Sequence, residues 1–122
     1  MTDDRHPAEI FAGEAAEAIR AVNHASFAFD SIEDPAAIYR ILGSLYSIAG
    51  RLDQTLEQLD RSLQRQLASG RLHMDPGAHP DGNETLAVAA AAEQLDTARQ
   101  CMRTAHDALT NAQAAISGLY TP

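Results

Sequence analysis

Tryptophan and lysine are both missing from this chain of 122 residues, and cysteine occurs once. A lone Cys101 excludes an intramolecular disulfide framework and suits a reducing compartment. Aromatic residues make up only 5% of the chain, so no core can be built on large rings. Long apolar runs are missing as well. The longest extends from Leu86 to Ala92, far short of the roughly 20 residues that span a bilayer. The N-terminus, MTDDRHPAEIF, lacks a basic stretch followed by an apolar one, so no signal peptide is expected and the chain reads as cytoplasmic. A basic face is lacking too. The net charge of −8 makes direct nucleic-acid binding a poor expectation, because phosphate contacts need clustered cations.

What is present is alanine and leucine. Alanine occurs 24 times, and apolar residues form 45% of the chain. Side chains this small bury little area each, so the helices they favour must lie close together. The nine arginines stand where lysine is absent, which together with the alanine reads as the coding bias of a GC-rich genome. The length fits one domain. Charge is uneven along it: residues 1–34 carry −6, residues 35–71 carry +2 and residues 72–122 carry −4.

Periodicity predicts three helices. The first spans about 8–25, with Pro7 suited to an opening turn and an apolar stripe of Phe11, Ala15, Ala18, Val22 and Ala25. A connector from Ser26 to Glu33 follows, its Phe27, Phe29 and Ile32 expected to plug the end of a bundle. Asp34-Pro35 is a cap followed by a first-turn proline, which starts a second helix over about 35–69. Its seam reads Leu45, Ala49, Leu52, Leu56, Leu59 and Leu63 in alternating steps of four and three. The third helix spans about 84–118, with apolar positions from Leu86 through Leu119. Between the two long helices lies GRLHMDPGAHPDGN, about 70–83, whose prolines and glycines make it a flexible linker. Two arms of on the order of 50 Å with one break suggest an antiparallel hairpin.

The fold expected is therefore all-α: an antiparallel long-helix hairpin with the shorter N-terminal helix completing a three-helix bundle. Gly43, Tyr46 and Gly50 share a face of the second helix and mark close packing, with the first helix laid against them. Ion pairs between that acidic helix and Arg40 or Arg51 would follow. The LAVAAAA run at 86–92 is apolar on every side, so something must cover it. A second copy of the hairpin is the economical answer. It predicts a homodimer forming a larger bundle through Leu56, Leu59, Leu63, Leu86, Val88 and Ala90.

Chemistry is harder to find. His73, Asp75, His79 and Asp81 in the linker are metal-ligating types, but H-x-D-x3-H-x-D matches no structural zinc spacing, and a solvated connector is the expectation. The inward Glu-x-x-His pairs of di-metal bundles do not occur. His106 and Asp107 are adjacent, and adjacent helical residues do not face each other. Cys101, beside Met102 and Ala98, reads as a buried structural thiol. Phosphate-cradling glycine loops are absent. No cofactor and no catalytic activity are expected.

The run AIYRILGSLYSIAGRLDQTLEQLDRSL, residues 37–63, together with the loop GRLHMD and the closing AQAAISGLY, resembles a group of small actinobacterial helical proteins of unassigned function. The resemblance covers most of the chain after residue 20. It implies an association with plasmid-like or integrative elements and brings no functional residues. In length and hairpin shape the chain is also similar to the WXG100 family of secreted helical hairpins, but its turn region is Ser69-Gly70 with no tryptophan and its linker is longer. The function expected is a non-enzymatic helical interaction or adaptor protein acting through self-association and a protein partner, without direct nucleic-acid or membrane binding. A WXG100-like secreted hairpin and an acidic regulator of a nucleic-acid-binding partner are the alternatives.

Overall fold

The protein is described by a computed structural model covering residues 4–28, 32, 34–78 and 83–122. Among these residues it is all-helical: α1 is Pro7–Ala28, α2 is Pro35–Ala68 and α3 is Glu84–Ile116. No helix among them is long and apolar enough to cross a membrane.

Each helix begins on a side-chain cap. The backbone N–H of Ala36 donates to Asp34 Oδ1 at 3.0 Å, with Pro35 placed where no N–H is wanted. Leu86 N–H donates to Asn83 Oδ1 at 2.9 Å. At α1 the cap is reciprocal. Ala8 N–H donates to His6 Nδ1 while Glu9 reaches back to accept from His6 N–H, so two orphan donors are satisfied at once. α2 ends at Gly70, whose φ of +74° is costly for any residue with a Cβ. Gly70 N–H bonds Leu67 O and Arg71 N–H bonds Gln66 O, the pairing that closes a Schellman stop.

α1 continues through Ser26 and Phe27, which the pattern assigns to the connector. Ser26 Oγ donates to Val22 O, so the residue adds no unsatisfied group to the last turn. Phe27 stands 87% exposed and plugs nothing; Phe29 lies outside the described residues.

The hairpin is formed by α2 and α3 packed together, and among the described residues α1 makes no contact with either. This corrects the three-helix bundle. The face expected to receive α1 is already taken: Gly43 lies beneath Gln113 and Gly50 beneath His106, both from α3. No ion pair joins α1 to Arg40 or Arg51 among the described residues; Glu17 pairs with Arg20 in its own helix instead.

The leucine seam is likewise split by the geometry. Its Ala49, Leu56 and Leu63 face α3, together with Leu42, Tyr46 and Asp53. Leu45, Leu52 and Leu59 sit one helical step round, on a flank, where Leu52 is 42% and Leu59 51% exposed. In α3 the run of three-residue steps from Leu86 to Ala98 drifts about 60° per step, so it cannot stay on one face. Val88, Leu95, Met102, Leu109 and Ile116 form the inward line.

The described part of the linker, 70–78, packs more closely than its composition suggests. Leu72 and Met74 are half-buried and turn back onto Leu63, Ala87 and Val88, closing the far end of the hairpin. Asp75 then caps a turn, accepting from Gly77 N–H at 2.9 Å while its carbonyl accepts from Ala78 N–H.

Removing the α2 cap by Asp34→Ala should lower the unfolding free energy by about 1 kcal/mol in urea titration. Gly70→Ala should cost about 1 kcal/mol as well, through its positive φ. In hydrogen exchange, the α1 amides of the free chain should exchange ahead of those around Ala49 and Val88, since a short helix without packing partners is marginal in water.

Candidate interaction surface

The hairpin has two unlike faces. One is a polar ladder that crosses between the helices. Arg99 of α3 donates from Nε to Asp53 Oδ1 at 2.8 Å and from an Nη to Glu57 at 3.4 Å. Arg103 lies 3.7 Å from the same Asp53 oxygen. The guanidinium of Arg99 is half-buried, and its hydrogen bond to Asp53, opposed by burial and aided by the charges of Asp53, Glu57 and Asp96, holds its proton more firmly than usual. A raised pKa adds stability in full below the unfolded value and loses it only as pH climbs through the folded one. Arg99 therefore brings no pH dependence across the neutral range.

Two turns along α3 from Arg99, His106 meets Tyr46 edge-on, with ring centroids 5.1 Å apart. His106 Nδ1 also lies 3.4 Å from Asp107 Oδ1, a contact the adjacent-residue rule discounts and side-chain reach allows. Two turns beyond, Gln113 donates to the carbonyl of Tyr39 at 3.0 Å. A Cβ on Gly43 would sit 2.8 Å from the Gln113 amide nitrogen, so this glycine makes room for the bond. Gly50 is different: a Cβ there would meet His106 at 3.4 Å, ordinary contact.

The opposite face is apolar and uncharged. From α2 it presents Ile38, Leu45, Leu52 and Leu59, with Ile41, Ile48, Thr55 and Ser62 beyond them. From α3 it presents Ala91, Ala98, Ala105 and Ala112, with Gln94, Cys101 and Ala108 beyond. Not one charged residue lies among these positions, although charged residues make up 21% of the chain. An open groove of about 530 Å³ runs between the helices at the far end of this face, walled by Leu59, Leu63, Ala91 and Leu95.

The residues singled out for self-association do not form one patch. Val88 is 5% exposed and points into the hairpin, so it cannot meet a partner. Leu86 and Ala90 are each two residues from Val88, roughly half a helical turn round, and point away from α2. Leu86 is 57% exposed. Leu56 and Leu63 are half-buried in the seam, which leaves Leu59 as the member standing on the open face. The all-round apolar run at 86–92 is not buried all round: its alanines at 87, 89 and 90 are exposed. Cys101 is exposed rather than buried, because it lies one step off the inward line marked by Met102.

Of the linker residues considered for metal, His73 is exposed and Asp75 is engaged in its turn, while His79 and Asp81 lie outside the described residues. Among the described residues, no three His, Cys, Asp or Glu side chains are grouped to hold an ion. No protein family, curated protein or solved structure matches the chain.

Arg99→Ala should lower the thermal midpoint, because it removes the one side chain that donates to both Asp53 and Glu57 across the hairpin and leaves Asp53 only its longer contact with Arg103. Arg61→Ala, whose pair with Glu57 is exposed, should change stability by less than about 1 kcal/mol. Gly50→Ala should raise stability by up to about 1 kcal/mol through helix propensity, whereas Gly43→Ala should gain less because Gln113 must move.

Proposed function

We propose that the chain is a non-enzymatic helical interaction protein that works by self-association, its minimal unit a homodimer. The observation that carries this reading is the amount of surface left open. The accessible area is 9429 Å², against about 6,400 Å² for a compact monomer of the same mass. The two residues classed as buried core among those described are Ala49 and Val88. Part of the excess belongs to α1, which carries Phe11, Ile19 and Val22 exposed on a helix without packing partners. The uncharged face of the hairpin adds Ile38, Ile48, Leu52 and Leu59 to the exposed apolar side chains. Exposed apolar side chains grouped on one face mark interaction sites, and depletion of charge marks the centre of such sites.

Size-exclusion chromatography with light scattering at micromolar concentration should return about 26 kDa, twice the 13.1 kDa chain. A species of chain mass across that concentration range would remove self-association from the reading.

A further inference from the structure

We infer that two copies pack by these uncharged faces about a two-fold axis parallel to the hairpin, with both linkers at the same end. The inference deepens the self-association reading and rests on it. The face is uneven across its width. On the α2 side it is a ridge of branched side chains: Ile38, Leu45, Leu52 and Leu59. On the α3 side it is a trough of alanines: Ala91, Ala98, Ala105 and Ala112. The polar ladder sets the register between them. Asp53 stands opposite Arg99, Tyr46 opposite His106 and the Tyr39 carbonyl opposite Gln113. In that register each ridge residue lies level with one trough residue, Leu52 with Ala98 and Leu45 with Ala105, giving four layers.

A ridge beside a trough is self-complementary under one kind of two-fold. Rotation about an axis along the hairpin places each ridge over the partner's trough, layer upon equal layer. Rotation about an axis across the hairpin would set ridge on ridge and trough on trough, leaving voids that close packing disfavours. In the favoured arrangement every helix of the resulting four-helix bundle is antiparallel to both of its neighbours, which also suits the helix dipoles.

The size fits a second copy. From Ile38 to Leu59 the face runs roughly 30 Å, and two helices side by side are roughly 20 Å wide. That footprint is about what one partner contributes to a standard stable interface. α1 is one helix wide and would cover half of it.

The test uses Cys101, exposed on this face. In the proposed bundle Cys101 of one copy lies level with Ile48 of the other, across the interface. Within a single chain the two side chains point outward from different helices and do not meet. Ile48→Cys in the full-length chain, treated with oxidised glutathione, should form an intermolecular disulfide, seen as a covalent species of about twice the chain mass on a non-reducing gel. Each bond releases two protons and its two electrons reduce one oxidised glutathione. The parent chain and Gln54→Cys, on the far side of α2, should cross-link at least 10-fold less. As a second measurement, Leu52→Glu should weaken dimerisation at least 100-fold while helical circular dichroism is retained. If the parent chain is a dimer but Ile48→Cys fails to cross-link, or Leu52→Glu stays dimeric, the arrangement is wrong and the self-association reading survives. If the parent chain is a monomer, both fall.

Discussion

The reach of Arg99 from α3 to Asp53 and Glu57 is the interaction on which the rest of the structure depends. A helix pair built from alanine and leucine could slide by one heptad or rotate by one flank at little cost, because its apolar residues repeat. A half-buried guanidinium held by two carboxylates cannot. Displacing it by a heptad would take Arg99 away from the two carboxylates that it spans in a partly exposed seam. The Tyr46–His106 contact and the Gln113 bond to the Tyr39 carbonyl repeat the constraint further along. Net stability contributed by such polar rungs is modest. Their effect is to choose one register among several that hydrophobic burial alone would leave close in energy.

Choosing the register also chooses what is left outside. With Asp53, Tyr46 and Gly43 committed to one edge of α2, the other edge must carry Ile38, Leu45, Leu52 and Leu59 toward solvent. The same rotation brings the alanines of α3 to the adjacent edge. The open face is thus a product of the ladder rather than a separate feature. Its lack of charge gains meaning from the contrast with Arg40, Arg51, Arg61 and Arg65, all exposed elsewhere on α2.

Much of this architecture is legible in the residues, and some is not, for identifiable reasons. Asp34-Pro35 and Gly70 announce the ends of α2 because caps and stops are local chemistry. The pairing of α2 with α3 follows from equal arms around one break. The seam was harder to read because alternating steps of four and three describe two adjacent stripes as well as one. Leu45, Leu52 and Leu59 look equivalent to Ala49, Leu56 and Leu63 until Arg99 is seen to hold Asp53. The rungs join residues 42 to 74 positions apart in sequence and leave no local trace. Val88 shows the same limit from the other side: within an all-apolar run nothing in the spacing tells which residue turns inward. The position of α1 is not legible in its sequence, because an amphipathic stripe shows that a helix can pack, not that it does.

The separation of α1 from the hairpin has a consequence of its own. A helix that shares no contact with the hairpin has no packing route by which its substitutions reach that hairpin's stability. Its composition is therefore answerable to whatever body it meets and not to the fold that carries it. The hairpin's sequence is bound by register and ridge, while α1, Pro7–Ala28, answers to neither, so that one scaffold can carry a leading helix of quite different composition.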